Sequence, residues 1–103
     1  MDTTGKILEE LRALQAESRR LLDEDSIADA MERIDEALAL ESINLGTLTL
    51  RAEALERLGK EEAAKQLHMR IKALKREAWQ RQVEAEIRGH HEVLGDPIRH
   101  ETP

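Results

Sequence analysis

The chain of 103 residues has no cysteine, no phenylalanine and no tyrosine, and it carries one tryptophan, two prolines and five glycines. Without cysteine there is no disulfide framework, no thiolate zinc site and no thiol nucleophile, and the composition fits a reducing compartment. The missing Phe and Tyr, together with scarce valine, remove most of the residues from which sheets are built. No apolar run approaches the ~18 residues of a membrane-spanning helix, and the opening MDTTGK has no apolar segment of the kind a secretory leader needs. These absences lead to the expectation of a soluble, cytoplasmic protein.

What remains is 37% charged and 40% hydrophobic residues, rich in Ala, Leu, Glu, Lys and Arg, the vocabulary of helical bundles and helical repeats. The length is that of one domain, large enough to bury roughly 60–70% of its unfolded surface, and it leaves little room for a separate catalytic domain. The net charge of −6 is unevenly spread, with 14 acids against 7 bases in residues 1–59 and 5 against 8 in residues 60–88.

Breakers and apolar spacing divide the chain into four helices. Thr3 or Thr4 caps a first helix in which Ile7, Leu11, Leu14, Ser18 and Leu21 form one face, with Leu8 and Leu22 on a second row, and which ends near Asp23. Asp25 or Ser26 caps a second helix, with Ile27, Ala30, Met31, Ile34, Ala37 and Leu38 facing inward and an end near Leu40. After ESIN, a third helix carries Leu45, Leu48, Ala52, Leu55 and Leu58 and stops at Gly59, a natural left-handed C-terminal cap. The fourth starts at once with Glu61 and Glu62 and meets no Gly or Pro before Gly89, so residues 60–88 form one long helix. Residues 89–103, punctuated by Gly89, Gly95 and Pro97, are expected to be a loose tail beyond a single domain of residues 1–88. The short Gly59-Lys60 connection makes the last two helices antiparallel, and small Ala52 and Ala64 stand where their axes come closest.

A shift of 34 residues superposes large on large and small on small: Leu14 on Leu48, Ser18 on Ala52, Leu21 on Leu55, Ala30 on Ala64. In this the chain resembles the tetratricopeptide repeat (TPR), whose period is 34 residues. Units of about 11–44 and 45–78 place Leu48, Arg51, Ala52 and Leu55, and before them Leu14, Glu17, Ser18 and Leu21, on its first-helix positions. Ala64 and His68, and before them Ala30 and Ile34, fall on its second-helix pair, with Ala37 at the later small position. The chain departs from the family in lacking its aromatics, in His68 where Phe is usual, in Ile71 opposite Ala37, and in Ser42 and Arg76 in place of the closing proline.

The resemblance implies an all-α fold of stacked antiparallel hairpins with a long C-terminal helix, and a non-enzymatic adaptor or scaffold that grips a protein or peptide in the groove lined by the first helix of each hairpin. That groove would present Arg12, Gln15 and Arg19 from the first helix and Thr49, Glu53 and Glu56 from the third. Beyond the reach of the third helix the fourth continues an apolar strip, Trp79, Val83 and Ile87, which either caps the domain or pairs with a second copy in a homodimer. A self-associating structural or regulatory subunit is therefore the second functional class. A helical nucleic-acid binder using Arg70, Lys72, Lys75, Arg76 and Arg81 is the third, and the less favoured because Glu77 and Glu84 interrupt the basic run.

Catalytic signals are lacking: no G-x-S-x-G, no phosphate-binding glycine loop and no H-E-x-x-H. No catalytic residue, cofactor or metal ligand is assigned. Adjacent carboxylates, Glu9-Glu10, Asp23-Glu24-Asp25 and Glu61-Glu62, are expected at helix ends, where capping and the dipole account for them. His90, His91 and His100 are read as a solvated tail, since adjacent histidines on a helix diverge by about 100°. His68 is expected to be a half-buried, hydrogen-bonded core residue.

Overall fold

The computed structural model describes the backbone of residues 3–94 and the side chains as far as Gly89. Its described residues form four α-helices and no strand: α1 (Thr3–Asp23), α2 (Ile27–Leu40), α3 (Leu45–Arg57) and α4 (Glu61–Leu94). The chain divides into two compact units, Met1–Lys72 and Ala73–Pro103. The first holds α1, α2, α3 and the opening turns of α4; the described part of the second is the remaining run of that helix.

The two hairpins are built by the same backbone device. At the end of α1 the Asp25 N–H donates to the Leu22 carbonyl (3.0 Å) and the Ser26 N–H to the Leu21 carbonyl (2.8 Å), with Asp25 at φ +63°. At the end of α3 the Gly59 N–H donates to the Glu56 carbonyl (3.0 Å) and the Lys60 N–H to the Leu55 carbonyl (2.9 Å), with Gly59 at φ +79°. This is the left-handed helix end that satisfies orphan carbonyls while reversing the chain. Gly59 takes the role expected of it. Asp25 does not: it closes α1 rather than opening α2, because the chain must turn over within three residues and Asp is one of the few non-glycine residues that tolerate the left-handed region. Ser26 holds the N-cap position of α2 without a side-chain capping bond. Asn44 caps α3, its Oδ1 accepting from the Thr47 N–H at 3.0 Å.

α1 and α2 pack as the first hairpin, α3 lies against α2, and α1 and α3 also touch. The centre of the unit joins Leu22, Ala30, Ile34 and Ala54, flanked by Ile27, Met31, Leu38 and Leu50. The small positions that coincide under the 34-residue shift are all buried: Ser18, Ala52 and Ala30 completely, Ala64 to 1% exposure. Fully burying these short side chains lets helix axes approach closely. Ser18 satisfies its hydroxyl on the Leu14 carbonyl one turn back, at 2.7 Å.

Three details differ from the sequence expectation. In α1 the buried line runs through Leu11, Ser18 and Leu22, while Leu14 and Leu21 are half-buried and Ile7 and Leu8 are exposed. The arc is rotated because α1 is flanked by α2 and α3 together, which pulls Leu22 from the second row into the centre. In α3, Thr47 and Ala54 are fully buried and Leu58 is exposed; Thr47 accepts from Gln15 of α1, and Ala54 joins Leu22 of α1 with Ala30 and Ile34 of α2. α4 does not stop at Arg88 but runs through Gly89 to Leu94. One glycine in a helix interior costs about 1 kcal/mol, too little to end a helix whose neighbours propagate it.

Candidate interaction surface

The six residues expected to line a groove lie on α1 and α3, and the structure ties four of them into pairs. The Arg19 guanidinium donates through Nη1 to Glu53 Oε1 (2.7 Å) and through Nη2 to Glu53 Oε2 (2.6 Å), a two-pronged ion pair between residues 34 apart. Asp23 accepts from the same Arg19 at 2.9 Å, and Arg57 reaches Glu53 at 3.4 Å. A ladder of alternating charge, Asp23, Arg19, Glu53, Arg57, thus runs across the seam. Arg57 Nη1 also donates to the Leu22 carbonyl at 2.8 Å, a second bond to the acceptor that already takes the Asp25 N–H, and so ties α3 to the end of α1. The hydrogen bond from Arg19 holds the Glu53 carboxyl below the ordinary carboxylate range, against the opposing effect of partial burial. The bonds to Glu53 and then Asp23 push Arg19 above its already high value.

Gln15 bridges the other end of the seam, its amide donating to Asn44 Oδ1 (2.7 Å) and Thr47 Oγ1 (2.9 Å). Gly46 makes room for this: a Cβ there would stand 3.2 Å from Gln15 Nε2 and 3.3 Å from Asn44 Oδ1. Thr49 donates only to the Leu45 carbonyl on its own helix (2.7 Å) and is exposed. Arg12 is exposed and forms no ion pair among the described residues. Glu56 faces away from the seam and meets His68 Nε2 at 3.2 Å.

His68 is therefore not a core residue. Its side chain is half exposed, paired with Glu56, because it sits on the face of α4 against which no further helix packs among the described residues. That face and the end of α3 form an open groove of about 540 Å³ lined by Glu56, Glu61, Lys65, His68, Met69 and Lys72. In the second unit, Trp79 and Ile87 are 65% and 58% exposed and Val83 is half-buried.

Sequence reasoning found the Arg19 and Glu53 positions but assigned them to a partner, where the structure pairs them with each other. It missed Asn44, Gly46 and Thr47, although Asn three residues before Thr at a helix start is a capping signal. Among the described residues, no group of three His, Cys, Asp or Glu is arranged to hold a metal ion, and no helix is long and apolar enough to cross a membrane. The side chains of His90, His91 and His100 lie outside the described residues. Comparison with known protein families, with curated proteins and with solved structures finds no match for this chain.

Proposed function

We propose that this chain is a non-enzymatic protein-interaction module, a two-unit helical repeat of the TPR-like kind that binds a partner protein or peptide in the cytoplasm. The observation that supports this best is the repetition itself. The hydrogen bonds closing α1 recur 34 residues later closing α3, and the ion pair joining the two helices links residues 34 apart. Two hairpins related in this way lay their first helices side by side and make a ridged polar surface suited to holding a peptide or helix.

On this reading the Arg19–Glu53 and Gln15–Asn44–Thr47 contacts make the surface rigid, and Arg12 and Thr49, which engage no neighbouring helix, are the side chains left to meet the partner. The test is affinity capture from the native cell with wild type and with Arg12→Glu/Thr49→Lys. A specific partner retained by the wild type and lost by the variant, with helical content unchanged, supports the proposal. A partner captured equally by both overturns the placement of the site.

A second reading is favoured by one observation: Trp79 and Ile87 stand in solvent, and leaving such side chains exposed forgoes about 1.5–3 kcal/mol each. It makes the chain a subunit that self-associates through Trp79, Val83 and Ile87. Nucleic-acid binding through the basic residues of α4 is the remaining alternative, and it predicts an affinity that collapses as salt rises.

A further inference from the structure

The six residues that line the groove are each 34 positions after a residue that seats α3 on the first hairpin. Leu22, Ile27, Met31, Ile34 and Leu38 form or flank the cluster that receives Ala54 and Leu50, and Asp35 accepts from Arg51 at 2.6 Å. Moved by 34, they become Glu56, Glu61, Lys65, His68, Lys72 and Met69, the lining of the open groove. The groove is thus the place where a further first helix would lie, with charge substituted for aliphatic side chains.

The same shift applied backwards says which helix it fits. The α3 residues Leu50, Arg51 and Ala54 correspond to Ala16, Glu17 and Arg20 on α1, where Ala16 and Arg20 are exposed and Glu17 is half-buried. Set into the groove as α3 sits on the first hairpin, Arg20 takes the place of Ala54 and comes beside Glu56 and Glu61. Glu17 takes the place of Arg51 over Met69, between Lys65 and Lys72, which stand one turn to either side of it. Ala16 replaces Leu50, leaving room for the longer lysine side chains. Arg20 and Glu17 thus each meet the opposite sign, while Asp23, in the place of Arg57, comes to the Glu56 carbonyl as Arg57 comes to that of Leu22 and adds no attraction. The ladder on the seam would also extend, since the image of the Arg19–Glu53 pair brings Arg19 of the incoming helix to the open side of Glu53, whose side chain is 31% exposed.

We infer that the groove formed by Glu56, Glu61, Lys65, His68, Met69 and Lys72 receives α1 of a second copy of this chain, so that copies stack head to tail as a continuous helical repeat. This rests on the repeat reading given above and differs from pairing through Trp79. The contact is heterologous: one copy offers a groove and the other a helix, so the series stays open unless it closes into a ring. Because its lining is charged and solvent-accessible, the association is weak and weakens further with salt. The existing partners of Arg20, Glu17 at 3.8 Å and Glu24 at 3.0 Å, are exposed pairs that exchange at little cost.

Sedimentation equilibrium of the full chain at low salt, from low to high micromolar concentration, tests this. The wild type should show a mass that rises with concentration and falls as salt is added. Arg20→Glu, and separately Glu56→Arg/Glu61→Arg, should each weaken association by about tenfold or more through like-charge contact. An equimolar mixture of the two variants should regain it, because each then offers what the other accepts, and Trp79→Ala/Val83→Asp should still associate. Association untouched by either reversal, or reversals that the mixture fails to rescue, overturns the inference. So does a wild type monomeric at high micromolar concentration in low salt, which would make the charged face the terminal cap of a two-unit stack. Thermal unfolding of Gly59→Ala and Ala52→Leu in the same buffers separates the two failures: if both destabilise while stacking is absent, the repeat stands and only the stacking falls.

Discussion

Replacing Gly59 by alanine probes a backbone energy almost free of packing. At φ +79° the residue occupies the left-handed region, and a Cβ built there meets nothing within 4 Å, so no steric contact adds to or offsets the conformational cost. For a non-glycine residue that cost is about 1–2 kcal/mol, and the reduced freedom of the unfolded chain returns about 0.4–1 kcal/mol. The net expectation is a loss of about 1 kcal/mol, a fall in melting temperature of about 4–8 °C for a unit of this size. Asparagine, which tolerates the same region, should lose less. The equivalent position in the first hairpin gives the mirror experiment. Asp25 is held at φ +63° with only a 3.7 Å exposed contact to Arg57, so Asp25→Gly should raise the melting temperature. Gly89 completes the set: it lies within α4 with nothing near its missing Cβ, so Gly89→Ala should increase helicity by circular dichroism. A Gly59→Ala variant more stable than wild type would mean that α3 and α4 run on as one rod, and the hairpin and the repeat built on it would both be wrong.

Ala52→Leu, at a fully buried position, should overpack the unit and cost about 1–3 kcal/mol in denaturant unfolding, and a shift of less than a degree in thermal melting would contradict that burial. Ser18→Ala should be tolerated within about 0.5 kcal/mol because it removes only a bond to its own helix, whereas Ser18→Leu should destabilise as Ala52→Leu does. Glu53 has a folded pKa below its unfolded value of about 4.3, so the Arg19 pair stabilises above that pH and the contribution disappears as pH falls through the depressed value. With both side chains partly exposed it amounts to about 0.5–1 kcal/mol, and Glu53→Gln should flatten the acid limb of a stability–pH curve. If the exposed strip on α4 is the self-association surface, Trp79→Ala/Val83→Asp should turn a dimer into a helical monomer by sedimentation, and an unchanged mass would remove that surface from consideration.

Local physics is what the sequence carried unaided. Four amphipathic segments, the left-handed glycine between α3 and α4 and the small residues at Ser18, Ala30, Ala52 and Ala64 were legible because each depends on the spacing of its own side chains or on the conformational rules of one residue. Tertiary structure decided which side of each helix is doubly covered. Leu22 moved to the centre and Thr47 and Ala54 became buried because α1 and α3 each meet two neighbours, and a helical period specifies an apolar arc without saying how many helices share it. It also decided the partners of the candidate site. Arg19 and Glu53 are surface residues to any pattern, and only the side-by-side placement of α1 and α3 brings them to 2.6 Å. Asp25 became a turn residue because the reversal between two packed helices leaves three residues to make it, and His68 became a surface residue because no helix covers its face among the described residues. These last features depend on which segments lie side by side, and that is settled by the packing of the whole unit.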